Sequence, residues 1–333
     1  MTELQNRAKI RPLIADDFDS VVSIDAVNGG RRRPAFFEKR LAAALAEPNY
    51  FIYIGYEDDD RLAGYLLARL HEGEYGESRP VAVLDAIGVT PECQGQGVGT
   101  ALLQKLEAVL KHKNVTEIQT QADWHNLGFL RFISAAGFQL APKQVLDRGV
   151  DYMDTLAVAD PVQSFQVDTM EQDFSGPSAD DAQALARDRV YCRTLAADDF
   201  PALVRIDRNI TGRDNTAYYQ RKMKEVLDET GIRVSLVAEI KGQVFGFIMA
   251  RVDFGEFGRT EPTAVLDSIG VDPGFSHHLV GSALLSQLLG NLTALRLETI
   301  RTEVSADHFD VLNFLMQNGF HPSQELAFSY HLD

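Results

Sequence analysis

The chain has 333 residues, of which 45% are hydrophobic and 24% are charged, and its formal net charge at pH 7 is −16. This length suits two average domains, and the composition is that of an ordinary globular protein. The negative charge argues against a nucleic-acid partner or an anionic membrane surface, because binding to either depends on clustered lysine and arginine.

The first half of the chain alternates between hydrophobic patterns of strand and helix type. In chain order, the sequence predicts strands at 9–13, 50–56, 62–70, 81–89, 115–120 and 150–156, and helices at 14–26, 34–46, 97–110 and 127–136. The third helix is amphipathic, with leucines at helical spacing: Leu102, Leu103, Leu106 and Leu110. Antiparallel strands followed by alternating strands and helices predict a mixed α/β fold.

The second half of the chain repeats the first at an offset of 182 residues, so that Asp25 falls on Asp207 and Gly64 on Gly246. Between 64 and 89, 14 of 26 positions are identical to those of 246–271. We therefore predict two tandem domains, at 1–158 and 189–333, each with its own core. Between them, residues 159–188 are rich in Asp, Gln, Ser and Ala, which is typical of a linker.

A glycine-rich loop follows the strand at 81–89 and reads Gln94-Gly95-Gln96-Gly97-Val98-Gly99-Thr100. Glycines let backbone N–H groups converge at the start of the next helix, where the partial positive charge of the helix attracts an anion. The pattern predicts a pyrophosphate-binding loop. A dinucleotide-binding fingerprint fits less well, because it requires a glycine where Thr100 stands and does not follow an antiparallel hairpin.

The loop resembles the signature (Gln/Arg)-x-x-Gly-x-(Gly/Ala) of the GNAT superfamily of acetyl-CoA-dependent N-acetyltransferases, through Gln94, Gly97 and Gly99. The resemblance extends to Gly64 in the hairpin and to Asn126, and it covers most of each half. It implies two tandem GNAT-like domains, each with a mixed, mostly antiparallel sheet flanked by helices. In each, the strand before the loop should splay from its parallel neighbour.

The resemblance also implies how acetyl-CoA binds as the co-substrate. Backbone amides of the loop, from Gln94 to Thr100, would hold the pyrophosphate. Main-chain groups of Ile87 and Val89 would pair with the pantetheine arm, and an N–H near Val89 would polarise the thioester carbonyl. Asn126 would either orient the pantetheine or cap the following helix, and the sequence leaves both roles open.

Acetyl transfer to an amine requires a base, because an ordinary amine with a pKa of about 10.4 is protonated at pH 7. Asp85 is the acidic residue within the strand at 81–89, which makes it the first candidate. Asp267 at the equivalent position of the second half favours instead a structural role common to both halves. Glu74, which Glu256 repeats, and Asp123 are further candidates.

The second half departs from the pattern at its own loop. Ser276 replaces the glutamine, and Leu279 replaces the second glycine. A leucine there is expected to crowd a phosphate and to lose a backbone conformation that only glycine tolerates. We therefore predict a degenerate copy without normal CoA binding. In many relatives a tyrosine acts as the general acid seven residues after the Asn126 position, whereas this chain has Ile133.

These observations predict an N-acetyltransferase that transfers the acetyl group directly, in a ternary complex, to an amine of a small molecule or peptide. The alternative is a non-catalytic acyl-CoA-binding or protein-interaction module on the same scaffold. Cys93 and Cys192 suit neither a disulfide framework nor a metal site. We expect a cytoplasmic protein without metal, nucleic-acid or membrane partners, either a monomeric pseudo-dimer or a homodimer.

Overall fold

The structure, a computed structural model, describes residues 9–30, 32–46, 49–72, 80–150, 190–224, 226–227, 232–253, 263–275 and 279–332. The helices are α1 Phe18–Gly29, α2 Pro34–Ala46, α3 Val98–His112, α4 Leu127–Ala135, α5 Phe200–Thr211, α6 Thr216–Lys224, α7 Val280–Ala294 and α8 Phe309–Gln317. The strands of the first half are β1 Lys9–Pro12, β2 Phe51–Asp58, β3 Arg61–Glu72, β4 Pro80–Val89, β5 Glu117–Asp123, β6 Gln139–Leu140 and β7 Lys143–Gly149. Those of the second half are β8 Tyr191–Thr194, β9 Leu236–Ile240, β10 Gln243–Asp253, β11 Thr263–Val271, β12 Thr299–Ser305, β13 His321–Pro322 and β14 Glu325–His331.

The described strands form two sheets, in the orders β1-β2-β3-β4-β5-β14-β6 and β13-β7-β12-β11-β10-β9-β8. Most neighbouring strands are antiparallel, whereas β4 with β5 and β11 with β12 are parallel. The mixed α/β class with two mostly antiparallel sheets, predicted from the sequence, is confirmed. Among the described helices, none is both long and apolar enough to cross a membrane.

The last strand of each repeat lies in the sheet of the other repeat. β14 pairs antiparallel with β5, from Glu325 opposite Asp123 to the far end of both strands. β7 pairs with β12 in the equivalent register, from Lys143 opposite Ser305. Each sheet therefore contains strands from both of the predicted domains, 1–158 and 189–333. The domain boundaries themselves stay a prediction, because the linker lies outside the described residues. Of the strand predicted at 150–156, only Val150 is described.

The strand β4 carries an irregularity that opens the sheet. Its pairing with β3 skips Asp85, which is the extra residue of a β-bulge. Its parallel pairing with β5 is confined to Ala82 and Val83, and beyond them the Thr120 hydroxyl donates to the Leu84 carbonyl at 2.9 Å. The predicted splay of the strand before the loop is thus confirmed, and β11 and β12 repeat it.

The amphipathic helix α3 anchors the sheet beside the splay. Leu102, Leu106 and Leu110 are fully buried and pack with Leu66 of β3 and Leu84 of β4. Burial of one such leucine contributes about 1.5–3 kcal/mol. This face therefore fixes the N-terminal end of α3 against the end of β4, where the glycine-rich loop joins them.

Candidate active site

A cavity of about 930 Å³ opens where β4 and β5 diverge. The glycine-rich loop and the first turn of α3 form one wall, and α4 and the end of α1 contribute others. Its floor is the splayed segment of the sheet, which includes Ile87, Val89 and Gln121. The cavity therefore combines a helix N-terminus with strand backbone that has no partner strand on one side.

Two glycines of the loop adopt the left-handed backbone conformation that favours glycine. The φ angle is 72° at Gly95 and 86° at Gly97. A Cβ added to either glycine would meet no atom within 4 Å, so the space beside both is open. The first-turn N–H groups of α3 have no acceptor within the helix, and they lie at its positive end. This arrangement suits a phosphate group.

The third glycine of the loop serves packing rather than backbone freedom. A Cβ on Gly99 would lie 2.8 Å from the Phe132 ring of α4, which is closer than van der Waals contact allows. In the second repeat, a Cβ on Gly281 would lie 3.2 Å from Phe314 at the equivalent site. Close packing of two helices therefore explains why both repeats have this glycine.

Gln94 and Asn28 tie the loop to the end of β4. The Gln94 side-chain amide donates to the Asn28 Oδ1 at 2.8 Å and to the Val89 carbonyl at 3.2 Å. The Asn28 amide donates to the same carbonyl at 3.0 Å. Sequence reasoning did not assign this bracing role to Asn28, which lies at the end of α1. A signal was present, because the second repeat has Ile210 at this position.

Asn126 caps helix α4. Its side-chain oxygen accepts from the backbone N–H of Phe129 at 3.2 Å, and the residue also lines the cavity. The structure therefore shows the capping role that the sequence left open, while a role toward pantetheine stays a prediction. Gln96, by contrast, donates to the Glu92 carbonyl at 2.7 Å and so supports the turn before α3.

Asp85 lies in a buried ion pair. Its side chain has no exposed surface, and both carboxylate oxygens lie within hydrogen-bond distance of the Arg69 Nε, at 3.0 and 2.8 Å. A guanidinium nitrogen of Arg40 lies 3.9 Å away. In the second repeat, Asp267 pairs with Arg251 and with Lys222. The equivalent arrangement supports a structural role, in which the acid and its cations fix the β-bulge.

The other predicted acids lie apart from this pair. Asp123 lines the cavity, and its carboxylate accepts from the His125 backbone N–H at 2.7 Å and contacts the ring nitrogen Nδ1 at 2.8 Å. The pKa of the Asp123 carboxyl therefore lies below its ordinary value, chiefly because of the backbone hydrogen bond. Glu74 lies outside the described residues.

The exchanged strand β14 brings a further acid into the cavity, which sequence reasoning missed. Glu325 lines the cavity from the second repeat and lies opposite Asp123 in the strand register. Burial raises the pKa of Glu325 to about 7, and the negative charges of Asp123 and Asp147 add to this effect, while Arg301 opposes it. No local sequence pattern links this residue to a loop more than 200 positions earlier.

At Leu279, the second repeat keeps the backbone conformation that we expected it to lose. Leu279 has a φ of 59° and precedes α7 as Gly97 precedes α3. The expected loss of the left-handed conformation is therefore wrong: tertiary context imposes it on leucine, at a cost of about 1–2 kcal/mol. The residues at 276–278 lie outside the described residues.

Comparison with known proteins gives one family. A model of the acetyltransferase (GNAT) family matches residues 16–138 and 194–320, which together make up most of the chain. Mycothiol acetyltransferase of Kocuria rhizophila is 27% identical over 111 residues, which are 33% of this chain and 36% of that protein. The match thus spans little more than a third of the length of this curated relative.

Solved structures give the same fold. The tandem GNAT protein from the clavulanic acid biosynthesis pathway has a TM-score of 0.60 at 14% identity, over 97% of this chain and 98% of that one. A GCN5-related N-acetyltransferase from Sphaerobacter thermophilus has a TM-score of 0.58 at 14% identity, over 98% and 96%. At such identity the likeness concerns the fold, which is that of two tandem GNAT domains.

Proposed function

The chain belongs to the acetyltransferase (GNAT) family, and on this basis we propose that its first repeat binds acetyl-CoA and transfers the acetyl group to an amine of a small molecule or peptide. The observation that carries the proposal is the pair of left-handed glycines at the N-terminus of α3, beside an open cavity. The partial similarity to a protein named mycothiol acetyltransferase supports the same chemistry.

The residues present fit acetyl-CoA. The space beside Gly95 and Gly97 accommodates a pyrophosphate, and the amides of α3 from Val98 to Thr100 provide donors. Beyond Val83 the strand β4 no longer pairs with β5, which leaves room for the pantetheine arm along Ile87. The Val89 carbonyl already accepts hydrogen bonds from the side chains of Asn28 and Gln94. We therefore assign only a backbone N–H at this end of β4 to the thioester.

The reaction follows from this placement. In a ternary complex the neutral amine nitrogen attacks the thioester carbonyl carbon, and a backbone N–H near Val89 stabilises the oxygen that becomes negative. The carbon–sulfur bond then breaks, the nitrogen loses its remaining extra proton, and water protonates the thiolate. For an acceptor that arrives as an ammonium and loses its first proton before attack, the net products are an amide, free CoA and one proton.

A second candidate function is a non-catalytic acyl-CoA-binding or protein-interaction module. Two observations favour it: the Asp85 carboxylate is occupied by Arg69, and the position of the family's tyrosine is Ile133, which is fully buried. Both observations concern proton transfer and leave the binding of acetyl-CoA unaffected. A measurement of turnover, and not one of acetyl-CoA binding, therefore distinguishes the two candidate functions.

The experiment that tests the proposal is calorimetric titration of acetyl-CoA into the full chain. We expect one site per chain, a loss of affinity of about 10²-fold or more in Gly97→Glu because the new carboxylate repels the phosphates, and no change in the matched variant Leu279→Glu. Absence of binding to the unaltered chain, or equal binding by Gly97→Glu, would contradict the proposed site. Binding without release of CoA across a panel of amines would favour the second candidate.

A further inference from the structure

The first repeat's cavity contains a carboxylate that comes from the other end of the chain. We propose that Glu325 is the general base of the acetyl transfer proposed above, on which this inference rests, and that it deprotonates the acceptor amine. The active site of the first repeat would then be complete only with a strand of the second.

The position of Glu325 follows from the strand exchange. β14 lies antiparallel against β5, and its first residue, Glu325, is opposite the last residue of β5, Asp123. Both residues line the cavity at the end where β4 and β5 diverge. Asp25 and Asp85 also line the cavity, where they pair with Arg33 and Arg69. The carboxylates that β5 and β14 add are those of Asp123 and Glu325.

The environments of the two carboxylates differ. Asp123 is partly exposed and accepts from the His125 N–H, which holds its pKa low, so that it stays ionised and attracts a cationic amine. Glu325 is largely buried, and the charged groups that act on it include Asp123 from β5, Asp147 from β7 and Arg301 from β12. Its pKa of about 7 suits a group that accepts a proton near neutral pH.

The second repeat provides an internal comparison. At the position equivalent to Glu325, the exchanged strand β7 has Lys143, opposite Ser305. The Lys143 ammonium donates to the Gln119 side-chain oxygen at 3.3 Å and lies 3.7 Å from a Glu303 carboxylate oxygen. A carboxylate therefore lines the cavity of the first repeat, and the equivalent position of the other sheet has a cation.

The ammonium form of the acceptor gives one proton to the Glu325 carboxylate, and the freed lone pair forms the nitrogen–carbon bond. When the carbon–sulfur bond breaks, the electron pair goes to sulfur, which takes a proton from water. The amide nitrogen loses its second proton to solvent, and Glu325 returns its own proton to solvent before the next turnover.

The test compares Glu325→Gln with Glu325→Asp and with Lys143→Gln, the matched change in the other sheet. CoA release is measured with a polyamine, an amino sugar and a dipeptide, from pH 5.5 to 9.5. We expect kcat of the unaltered protein to rise with an apparent pKa near 7, and Glu325→Gln to lower kcat by about 10²-fold or more. The remaining kcat of Glu325→Gln should increase as the pH approaches the pKa of the amine. Glu325→Asp should recover part of the rate, and Lys143→Gln should retain it.

A second readout does not depend on turnover. Calorimetric binding of acetyl-CoA should be the same in Glu325→Gln as in the unaltered chain, and carboxyl carbon NMR should show a glutamate titrating near pH 7 that the variant lacks. A titration near 4.5, or a variant that keeps the rate and the pH profile, would overturn the role of Glu325. Failure of the unaltered chain to bind acetyl-CoA would instead overturn the proposed function.

Discussion

The glycine-rich loop of the first repeat and its counterpart in the second join their helices with the same backbone conformation, but the side chains around them differ. Gly97 and Leu279 both adopt the left-handed conformation before their helices, and Gly99 and Gly281 both pack against a phenylalanine. Around the first loop, however, Asn28 and Gln94 form a hydrogen-bonded brace, whereas the second repeat has Ile210 at the position of Asn28. Residues that build the fold recur in both repeats, including cavity-lining ones such as Asp85 and Gly99, whereas Asn28 and Gln94 occur only in the first.

This comparison assigns roles without any other sequence. Asp85 and Asp267 recur with their bulges and their cations, and therefore belong to the shared framework. Glu325 and Lys143 occupy equivalent positions with opposite charge, and therefore distinguish the two sites. Substitutions at both members of such a pair therefore separate the shared framework from the site.

The largest expected effect is on the shared framework. Asp85→Asn should lower the free energy of unfolding by about 3–5 kcal/mol, because it removes the buried negative charge that pairs with Arg69 and lies near Arg40. Asp267→Asn should cost a similar amount in the second repeat. Urea unfolding of both variants measures this, with the exposed Asp16→Asn as control, which should change stability by less than about 0.5 kcal/mol. A stable Asp85→Asn protein that has lost turnover would restore Asp85 as a catalytic candidate.

Substitution of Glu325 should have a smaller effect on the free energy of unfolding, and one of opposite sign. Its folded pKa of about 7 lies above the ordinary 4.5, so the neutral form is the one that folding favours. That contribution is complete below pH 4.5 and is lost as the pH rises through 7. The change in the free energy of unfolding caused by Glu325→Gln should therefore be about 2–3 kcal/mol more stabilising at pH 8 than at pH 4.5.

Urea unfolding at the two pH values measures this difference, and Lys143→Gln should not reproduce it. A variant that is more stable at pH 8 yet slower in acetyl transfer would separate a catalytic loss from misfolding. A stability difference that does not change with pH would instead show that the carboxyl is solvated and that its pKa is ordinary.

The smallest effect concerns the loop backbone. Leu279→Gly should raise the free energy of unfolding by about 1 kcal/mol, because glycine adopts a φ of 59° without the steric cost that leucine carries. The reciprocal change Gly97→Leu should lower it by a similar amount. Thermal unfolding of both variants checks these signs. If Leu279→Gly also created a second acetyl-CoA site in calorimetry, the leucine alone would account for the difference between the loops.

Most local elements of the first repeat and its glycine-rich loop could be predicted from the sequence, whereas the strand β7 was not. The leucines of α3 recur at helical spacing because one face of that helix is buried, and the glycines of the loop mark the backbone positions where a side chain is costly or obstructive. The offset of 182 residues likewise indicates two copies of one fold. These features depend on interactions between neighbours in the chain, so their residue patterns are sufficient evidence.

Only the tertiary structure shows which sheet each last strand joins. Backbone hydrogen bonds between strands are nearly independent of residue type, and the two repeats present similar edges, so the pattern of β14 does not reveal its partner. That pairing places Glu325 beside a loop more than 200 residues away, and folding places Arg69 against Asp85 and Asn28 against Gln94. A charge reveals its role only when its neighbours are known, because burial and partners determine whether it pairs, positions a loop or accepts a proton.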